Sequence, residues 1–248
     1  MIQMTAIGRK TVQVLGLPVD EITMDECMAR IQAFVESGEP HIVVTADSSG
    51  MVIAESDSEF RSIVEKADLV TPDSFGVVWA ARRKGAIIPE RVSGVDIVDR
   101  CCALSADKGY RIALLGSEPG VAELAAERLR LKHVGCNIVL ARHGYFPPES
   151  DGVVAAEVAE SKPDILFVAM GIPRQEKFIA ATQSVIGAPV AVGVGGSLDV
   201  FSGRAKRAPR IIQKLRLEWL WRTVLNPKKI SKAKALPVFA WRVLRSKD

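Results

Sequence analysis

Two aspartates stand where predicted strands end, and both are of a type that can do acid–base chemistry. Asp47 follows the apolar run 41–45, which ends in the hydroxyl residue Thr45, and Asp73 follows the run 68–71. Each carboxylate can cap the helix that comes next, hydrogen-bond a polar ligand or accept a proton as a general base. The pattern favours the cap for Asp47, whereas for Asp73 it leaves the cap and the general base equally open.

Three glycine-containing segments also follow predicted strands, at 115–121 (LGSEPGV), 169–176 (AMGIPRQE) and 193–199 (GVGGSLD). Glycine lets the backbone approach a ligand closely, and a helix that starts after such a turn offers its amides to an anion. Gln175 can donate and accept hydrogen bonds, which suits a sugar hydroxyl or a diphosphate, and Asp199 can accept them from a uracil or a ribose. The first two segments are equally compatible with ordinary turns, whereas the third indicates ligand contact more strongly.

Several motifs that would indicate other chemistry are missing from the sequence. It has no Asp-x-Asp pair for a metal-bound diphosphate, no GxGxxG fingerprint, no GxxxxGK[ST] phosphate loop and no GxSxG nucleophile elbow. We therefore predict neither a metal site nor a cofactor. The three histidines lie in unrelated contexts and are predicted to be structural. The four cysteines form no CxxC pair and are predicted to be reduced thiols.

The order of apolar runs and helical patterns predicts how these residues are held. Short β-rich runs, followed by turns and helical patterns, recur as expected for parallel βαβ units. The predicted fold class is α/β: a Rossmann-like, doubly wound, mainly parallel sheet with helices on both faces. Ligands of such sheets bind outside the carboxyl ends of the strands. The predicted strands are 41–45, 68–71, 111–115, 137–141, 164–169 and 189–193, and helices are predicted over 48–66 and 121–131.

Charge is distributed unevenly along the chain. Residues 204–248 hold 14 Lys or Arg and 2 Asp or Glu, a net charge of +12, whereas residues 1–203 carry a net charge of −8. We therefore predict a Rossmann-like domain at 1–203 and a basic, helical C-terminal appendage at 204–248. Such an appendage suits phosphates, anionic lipid surfaces or nucleic acid. Neither a signal peptide nor a transmembrane segment is predicted.

Taken in order, these pieces resemble the WecG/TagA/CpsF family of bacterial glycosyltransferases. The resemblance runs from about residue 11 to about residue 232. The matching segments are VVTAD at 43–47, ADLVTPDSFGVVWAAR at 67–82, PERVSGVDIV at 89–98, LLGSEPGVAE at 114–123, HGYF at 143–146, GIPRQEKFI at 171–179, GVGGSLDVFSGRAKRAP at 193–209 and LEWLWR at 217–222.

The resemblance implies an activity, its substrates and a location. It implies an inverting, metal-independent hexosyltransferase that moves a sugar from a UDP-sugar to an undecaprenyl-diphosphate-linked sugar during the synthesis of cell-surface polysaccharide or teichoic acid. The expected donor sugar is of the N-acetylmannosamine, N-acetylmannosaminuronate or glucose type. The expected location is cytoplasmic, peripheral on the inner face of the cell membrane, and the resemblance is compatible with a homo-oligomer.

The resemblance also implies roles for individual residues. Asp73 falls at the position of the catalytic base, and Thr45, Arg91 and Gln175 fall in the catalytic pocket. The residues implied to bind substrate are Asp47, Tyr145, Gly195, Gly196, Asp199, Arg222, Lys229 and Lys232. The last three belong to the appendage, which is expected to close over the active site and to bind the lipid diphosphate at an anionic membrane surface.

The sequence departs from the family pattern at three places. Asp47 stands where asparagine is usual, Ser74 stands where glycine is usual, and Lys229 and Lys232 stand where arginine is common. A lysine keeps the charge but loses the bidentate fork that arginine offers a phosphate. The two changes beside the pocket leave the donor sugar open.

Two other functions stay open at this point. One is a nucleotide-binding module without catalysis, and the other is a nucleic-acid binder that uses the basic tail. No nucleic acid partner is predicted, because residues 1–203 are acidic and no nucleic-acid-binding motif is found in the sequence.

Overall fold

A computed structural model describes residues 9–206, 208, 209 and 230–246. Its strands are β1 Thr11–Val14, β2 Leu17–Asp20, β3 His41–Ala46, β4 Leu69–Pro72, β5 Arg111–Gly116, β6 Asn137–Arg142, β7 Ile165–Ala169 and β8 Val190–Gly193. Its helices are α1 Met24–Ser37, α2 Ser48–Ile53, α3 Ser58–Lys66, α4 Phe75–Arg83, α5 Gly94–Lys108, α6 Val121–Lys132, α7 Asp151–Glu160, α8 Arg174–Ile186, α9 Ser197–Phe201 and α10 Ile230–Arg245, and a single 3₁₀ turn, Pro148–Ser150, precedes α7.

Six of the strands form one parallel sheet, in the order β4-β3-β8-β7-β5-β6. The strands are apolar because helices cover both faces. Alternate residues face opposite sides, so Val43 packs with α1, α5, α6 and α9, whereas Val44 packs with α2, α3 and α4. The second face continues over α7 and α8, which bury Val154 and Phe178. The predicted Rossmann-like α/β class is therefore confirmed.

The single helix predicted over 48–66 is wrong, because the chain breaks between Ala54 and Asp57 and forms α2 and α3 instead. The Asp57 side chain accepts a hydrogen bond of 3.0 Å from the N–H of Phe60 and so starts a new helix. This hydrogen bond and an ion pair of 2.9 Å with Lys177 lower the pKa of Asp57. The second helix, α3, leads into β4.

A two-stranded antiparallel hairpin, β1 and β2, lies outside the main sheet and was not predicted. Its Asp20 is buried and accepts a hydrogen bond of 2.7 Å from the N–H of Val70 in β4. Arg9 pairs with the same carboxylate at 3.0 Å. The hairpin is therefore anchored beside the outer strand of the sheet.

The helix α10 packs against α2 and α4. Phe239 and Val243 are buried in the core that these helices share, and Arg242 forms an ion pair with Glu55. Four aromatic residues lie in the basic segment 204–248. Of these, Phe239 packs against the domain, and Trp241 is exposed. The other two, Trp219 and Trp221, lie outside the described residues.

Candidate functional site

A crevice is expected at the carboxyl ends of β3 and β8, because the chain leaves these two neighbouring strands toward opposite faces of the sheet. The helix after β3 buries Met51 on one face, and the helix after β8 buries Leu198 on the other. Parallel sheets bind ligands at such a switch point. The segments that carry Thr45, Asp73, Tyr145, Gln175 and Gly195 all lie at or after the carboxyl ends of strands of this sheet.

The floor of the crevice is closed by Thr45. Its side chain is buried, and its hydroxyl donates a hydrogen bond of 2.7 Å to the carbonyl oxygen of Gly193. Gly94 packs against this strand end, because a Cβ added to it would be 3.5 Å from Cγ2 of Thr45 and 3.3 Å from Cα of Val194. The end of β3, the end of β8 and the start of α5 therefore meet at one point.

The two aspartates have different structural roles. The Oδ1 atom of Asp47 accepts hydrogen bonds from the N–H of Gly50 at 2.7 Å and from the hydroxyl of Ser49 at 2.6 Å, so Asp47 caps α2 as its pattern favours. The helix α4 is capped by Ser74, whose hydroxyl accepts from the N–H of Val77 at 3.3 Å. The cap considered for Asp73 is therefore supplied by its neighbour.

The Asp73 carboxylate instead faces the first residue of α5. Its Oδ1 atom accepts a hydrogen bond of 3.1 Å from the N–H of Gly94, and its own backbone N–H donates to the carbonyl oxygen of Ala46 at 3.0 Å. Asp73 is half-buried. The helix α5 is 15 residues long, and the partial positive charge at its start favours a carboxylate at this place. Asp73 is thus fixed beside the crevice by β3, β4 and α5 together.

Arg91 lies next to the turn that carries Asp73. Its guanidinium carbon is 5.2 Å from the centre of the Phe75 ring, a cation–π contact. Phe75 is the first residue of α4 and stands two positions after Asp73. The structure therefore brings a permanent cation, a carboxylate and the Thr45 hydroxyl to the ends of adjacent strands.

Gln175 lies beneath the loops on the other side of the crevice. Its side chain is fully buried, and Oε1 accepts hydrogen bonds from the N–H groups of Gly171 and Gly195. Gly195 has a φ of +53°, which favours glycine, and Gly196 precedes the first turn of α9, where Asp199 lies. The Gly195–Gly196 loop is therefore held in place from below.

Tyr145 follows β6, the outer strand farthest from Asp73, and its side chain is exposed. Its loop crosses back toward the middle of the sheet, because the N–H of Gly144 donates to the carbonyl oxygen of Ser117 at 3.0 Å. A Cβ on Gly144 would be 2.8 Å from Cα of Gly116 and 3.1 Å from Cγ of Met170, so only glycine fits at this close approach.

The appendage residues predicted to bind the acceptor are placed only in part. Arg222 and Lys229 lie outside the described residues, and Lys232 falls in α10 with a side chain that is not described. Among the helices that the structure describes, none combines the length and apolarity needed to cross a bilayer. Within the same ranges, no three His, Cys, Asp or Glu side chains form a group that could hold a metal ion.

Three residues contribute to the site although no site role was predicted for them, namely Gly94, Gly193 and Glu176. A signal for the first was present, since Ser93 followed three residues later by Asp96 is a capping pattern, and Ser93 does cap α5. Gly193 and Glu176 fall inside the segments 193–199 and 169–176 that the sequence singles out, but their roles depend on contacts between segments that are distant in the sequence.

The fold and the crevice define a Rossmann-like α/β protein with a glycine loop, a fixed carboxylate and a cation at one edge of its sheet. A model of the family described as "Glycosyl transferase WecG/TagA/CpsF family" matches residues 12–248. The chain belongs to this family, which confirms the resemblance, and it is a glycosyltransferase.

Similar proteins are found in Staphylococcus aureus. Those of strains NCTC 8325 and COL are both named N-acetylglucosaminyldiphosphoundecaprenol N-acetyl-beta-D-mannosaminyltransferase. Each is 31% identical to this chain over 238 residues, which covers 95% of this chain and 93% of the relative.

Proposed function

We propose that this enzyme transfers a sugar from a UDP-sugar to an undecaprenyl-diphosphate-linked sugar acceptor, with inversion and without a metal ion. The observation that carries the proposal is the Asp73 carboxylate, held at the crevice by the N–H of Gly94 while Ser74 caps the neighbouring helix. The names of the relatives from Staphylococcus aureus support the acceptor class and favour an N-acetylmannosamine donor. N-acetylmannosaminuronate and glucose are the other donor sugars to be tested.

On the donor side, the proposal assigns the nucleotide to Gly195, Gly196, Asp199 and Tyr145. Glycine at 195 and 196 leaves room for the diphosphate to approach the backbone, because a Cβ on Gly195 would meet no atom within 4 Å. The carboxylate of Asp199 would accept hydrogen bonds from the ribose or uracil, and the exposed ring of Tyr145 offers a surface for stacking.

In the transfer step, Asp73 would act as the general base. The acceptor hydroxyl oxygen attacks the anomeric carbon from the face opposite UDP, the new carbon–oxygen bond forms, and the bond to the diphosphate breaks. The hydroxyl proton passes to the Asp73 carboxylate, and UDP leaves with its electron pair. Thr45 and Asp47, at the end of β3, would line the sugar side of the crevice.

Cations would stabilise the departing diphosphate, because the sequence has no Asp-x-Asp pair to hold a metal ion against it. Among the cations that the resemblance implies for the site, Arg91 is the nearest to Asp73 in the sequence. Arg222, Lys229 and Lys232 are proposed to meet the diphosphate of the lipid-linked acceptor, where each additional positive charge lowers the energy of the bound anion.

The proposal places residues 1–203 in a catalytic domain and residues 204–248 in an appendage that meets the inner face of the membrane. Along α10, Val238, Trp241 and Leu244 are exposed at a spacing of three residues, opposite the buried Phe239 and Val243. An exposed apolar stripe beside basic residues suits an anionic lipid surface. The proposal also includes a homo-oligomer, whose assembly would compete with the docking of this appendage.

A transfer assay tests this function. The enzyme is incubated with a lipid-linked N-acetylglucosamine diphosphate acceptor and with each of the three UDP-sugar types, in the presence and absence of a chelator. We expect one donor to yield product and stoichiometric UDP, at the same rate with the chelator. Absence of transfer from every UDP-sugar would contradict the donor class, and loss of turnover in the chelator would contradict metal independence.

A further inference from the structure

The Gln175 amide is enclosed by protein groups rather than open to the crevice. Its Oε1 atom accepts hydrogen bonds from the N–H of Gly171 at 3.2 Å and the N–H of Gly195 at 3.0 Å. Its Nε2 atom donates a hydrogen bond of 2.8 Å to Oε1 of Glu176. Both side chains are fully buried. One side chain therefore ties the loop after β7 to the loop after β8.

These partners allow only one orientation of the amide. Two N–H donors face the carbonyl oxygen, and a carboxylate oxygen, which accepts, faces the NH₂ group. A rotated amide would set its NH₂ against two donors and its carbonyl against the Glu176 carboxylate, and all three hydrogen bonds would be lost. Burial makes that loss costly because water cannot replace the missing partners. Glu176 and the two N–H donors together fix which end of Gln175 faces Gly195, and Glu176 is the only side chain among these three partners.

Gly193 completes the arrangement by leaving room for it. A Cβ at this position would lie 2.7 Å from Nε2 of Gln175 and 3.0 Å from Oε1 of Glu176. The carbonyl oxygen of Gly193 accepts the hydrogen bond from Thr45 in β3. The pair Gln175 and Glu176 therefore packs against the strand end that forms the floor of the crevice.

We propose that Glu176 is a positioning residue that acts through Gln175 to hold the Gly195–Gly196 loop in the shape that binds the donor diphosphate. The proposal rests on the proposed function, in which this loop binds the nucleotide. Neither side chain needs to touch the substrate for this role, since the contact is made by the loop backbone that Gln175 holds.

The test compares Glu176→Ala with Glu176→Gln. The alanine variant removes the acceptor of Gln175, whereas the glutamine variant keeps a carbonyl oxygen there. We measure the Kd for UDP by calorimetry and the amide hydrogen exchange of a peptide that covers 193–199. We expect Glu176→Ala to raise the Kd about tenfold, the scale of one buried hydrogen bond, and to speed exchange in that peptide. Glu176→Gln should stay within about threefold of the wild type.

Gln183→Ala is the matched control. Gln183 lies two turns further along α8, is also buried, and donates a hydrogen bond of 2.9 Å to the carbonyl oxygen of His41 at the opposite end of β3. This variant should lower the Tm without changing the Kd for UDP or the exchange of 193–199. An equal effect in Gln183→Ala would show general destabilisation and overturn the positioning role.

Two other outcomes would also overturn it: unchanged exchange and Kd in Glu176→Ala, or a Glu176→Gln variant as impaired as the alanine variant. If Glu176→Ala does not fold, Gln175→Met, which fills similar space without hydrogen bonds, is put through the same two measurements. If the wild type itself does not bind UDP, the donor assignment fails, while the exchange of 193–199 still decides whether Glu176 positions the loop.

Discussion

Gly193 is a tightly packed residue of the site. An added Cβ would approach the buried amide of Gln175 and the carboxylate of Glu176 within 3.0 Å or less. We expect Gly193→Ala to lower the free energy of unfolding by about 1–3 kcal/mol, the usual cost of overpacking a core. Denaturant unfolding of both proteins measures this difference.

Gly152→Ala is the control for that substitution. Gly152 lies in the first turn of α7, and a Cβ there would meet nothing within 4 Å. Alanine suits a helix better than glycine, so this variant should be as stable as the wild type or more stable by up to about 1 kcal/mol. A Gly193→Ala protein that matches Gly152→Ala in stability would contradict the described packing.

The residues of the site were predictable to different degrees. Asp47 was correctly favoured as a cap, since a cap depends only on the three residues that follow it. For Asp73 the sequence leaves the helix cap and the general base equally open, because a carboxylate between a strand and a helix fits both roles. The hydrogen bond that holds the Asp73 carboxylate comes from the N–H of Gly94, 21 residues further along the chain, and no local pattern contains that contact.

At the scale of elements, the docking of α10 against α2 and α4 depends on one large buried side chain. Phe239 is fully buried between α2 and α4. We expect Phe239→Ala to weaken this docking by about 3–5 kcal/mol, the cost of removing a buried phenylalanine, so that α10 separates from the domain. Limited proteolysis should then cleave near 230–246 at least tenfold faster than in the wild type.

Val238→Ala serves as the matched variant on the same helix, because Val238 is exposed. Its cleavage rate should equal that of the wild type. Equal cleavage of the Phe239→Ala and Val238→Ala proteins would show that α10 is not held by this contact.

Two features that the sequence did not predict, the hairpin and the break between α2 and α3, both lack a distinctive local signal. The hairpin of β1 and β2 has strands of only four residues, and its turn places Leu15 at a φ of +50°, where a glycine or asparagine would have signalled a hairpin. The break between α2 and α3 depends on Asp57, which reads equally well as a polar residue on the exposed side of one long helix. The buried parallel strands were found because they are continuous apolar runs.

At the scale of the whole molecule, the exposed stripe on α10 predicts membrane binding. A double substitution, Trp241→Ala with Leu244→Ala, removes apolar surface without touching the buried face of the helix. We expect the affinity for vesicles that contain phosphatidylglycerol to fall at least about tenfold, because each side chain contributes roughly 1.5–3 kcal/mol when it is buried. Vesicle flotation measures this change.

Leu131 and Val134, at and just after the end of α6, provide the matched control, since both are exposed and apolar. Their double substitution to alanine should leave vesicle binding unchanged. Equal loss of binding in the two double variants, or no loss in either, would contradict a membrane role for α10.

The sequence predicts the type of sheet and the edge that binds ligands, but it does not predict the order of the strands. Repeated strand, turn and helix units predicted the parallel sheet, and the rule for such sheets predicted ligand binding at the strand ends. The strand order could not be predicted, because each crossover can pass to either side. In the observed order β3 and β8 are neighbours. Because of this, the Thr45 hydroxyl can donate its hydrogen bond to the carbonyl oxygen of Gly193.

The most direct test of the account is the turnover of Asp73→Asn in sugar transfer, with the Kd for UDP measured on the same protein. If Asp73 is the base, turnover should fall by roughly 10²- to 10⁴-fold while the Kd stays unchanged. Asp164→Asn, the same substitution at the opposite edge of the sheet, where Asp164 accepts a hydrogen bond of 2.7 Å from the N–H of Arg111, should keep full turnover. An Asp73→Asn enzyme that turns over at the wild-type rate would contradict the proposed mechanism.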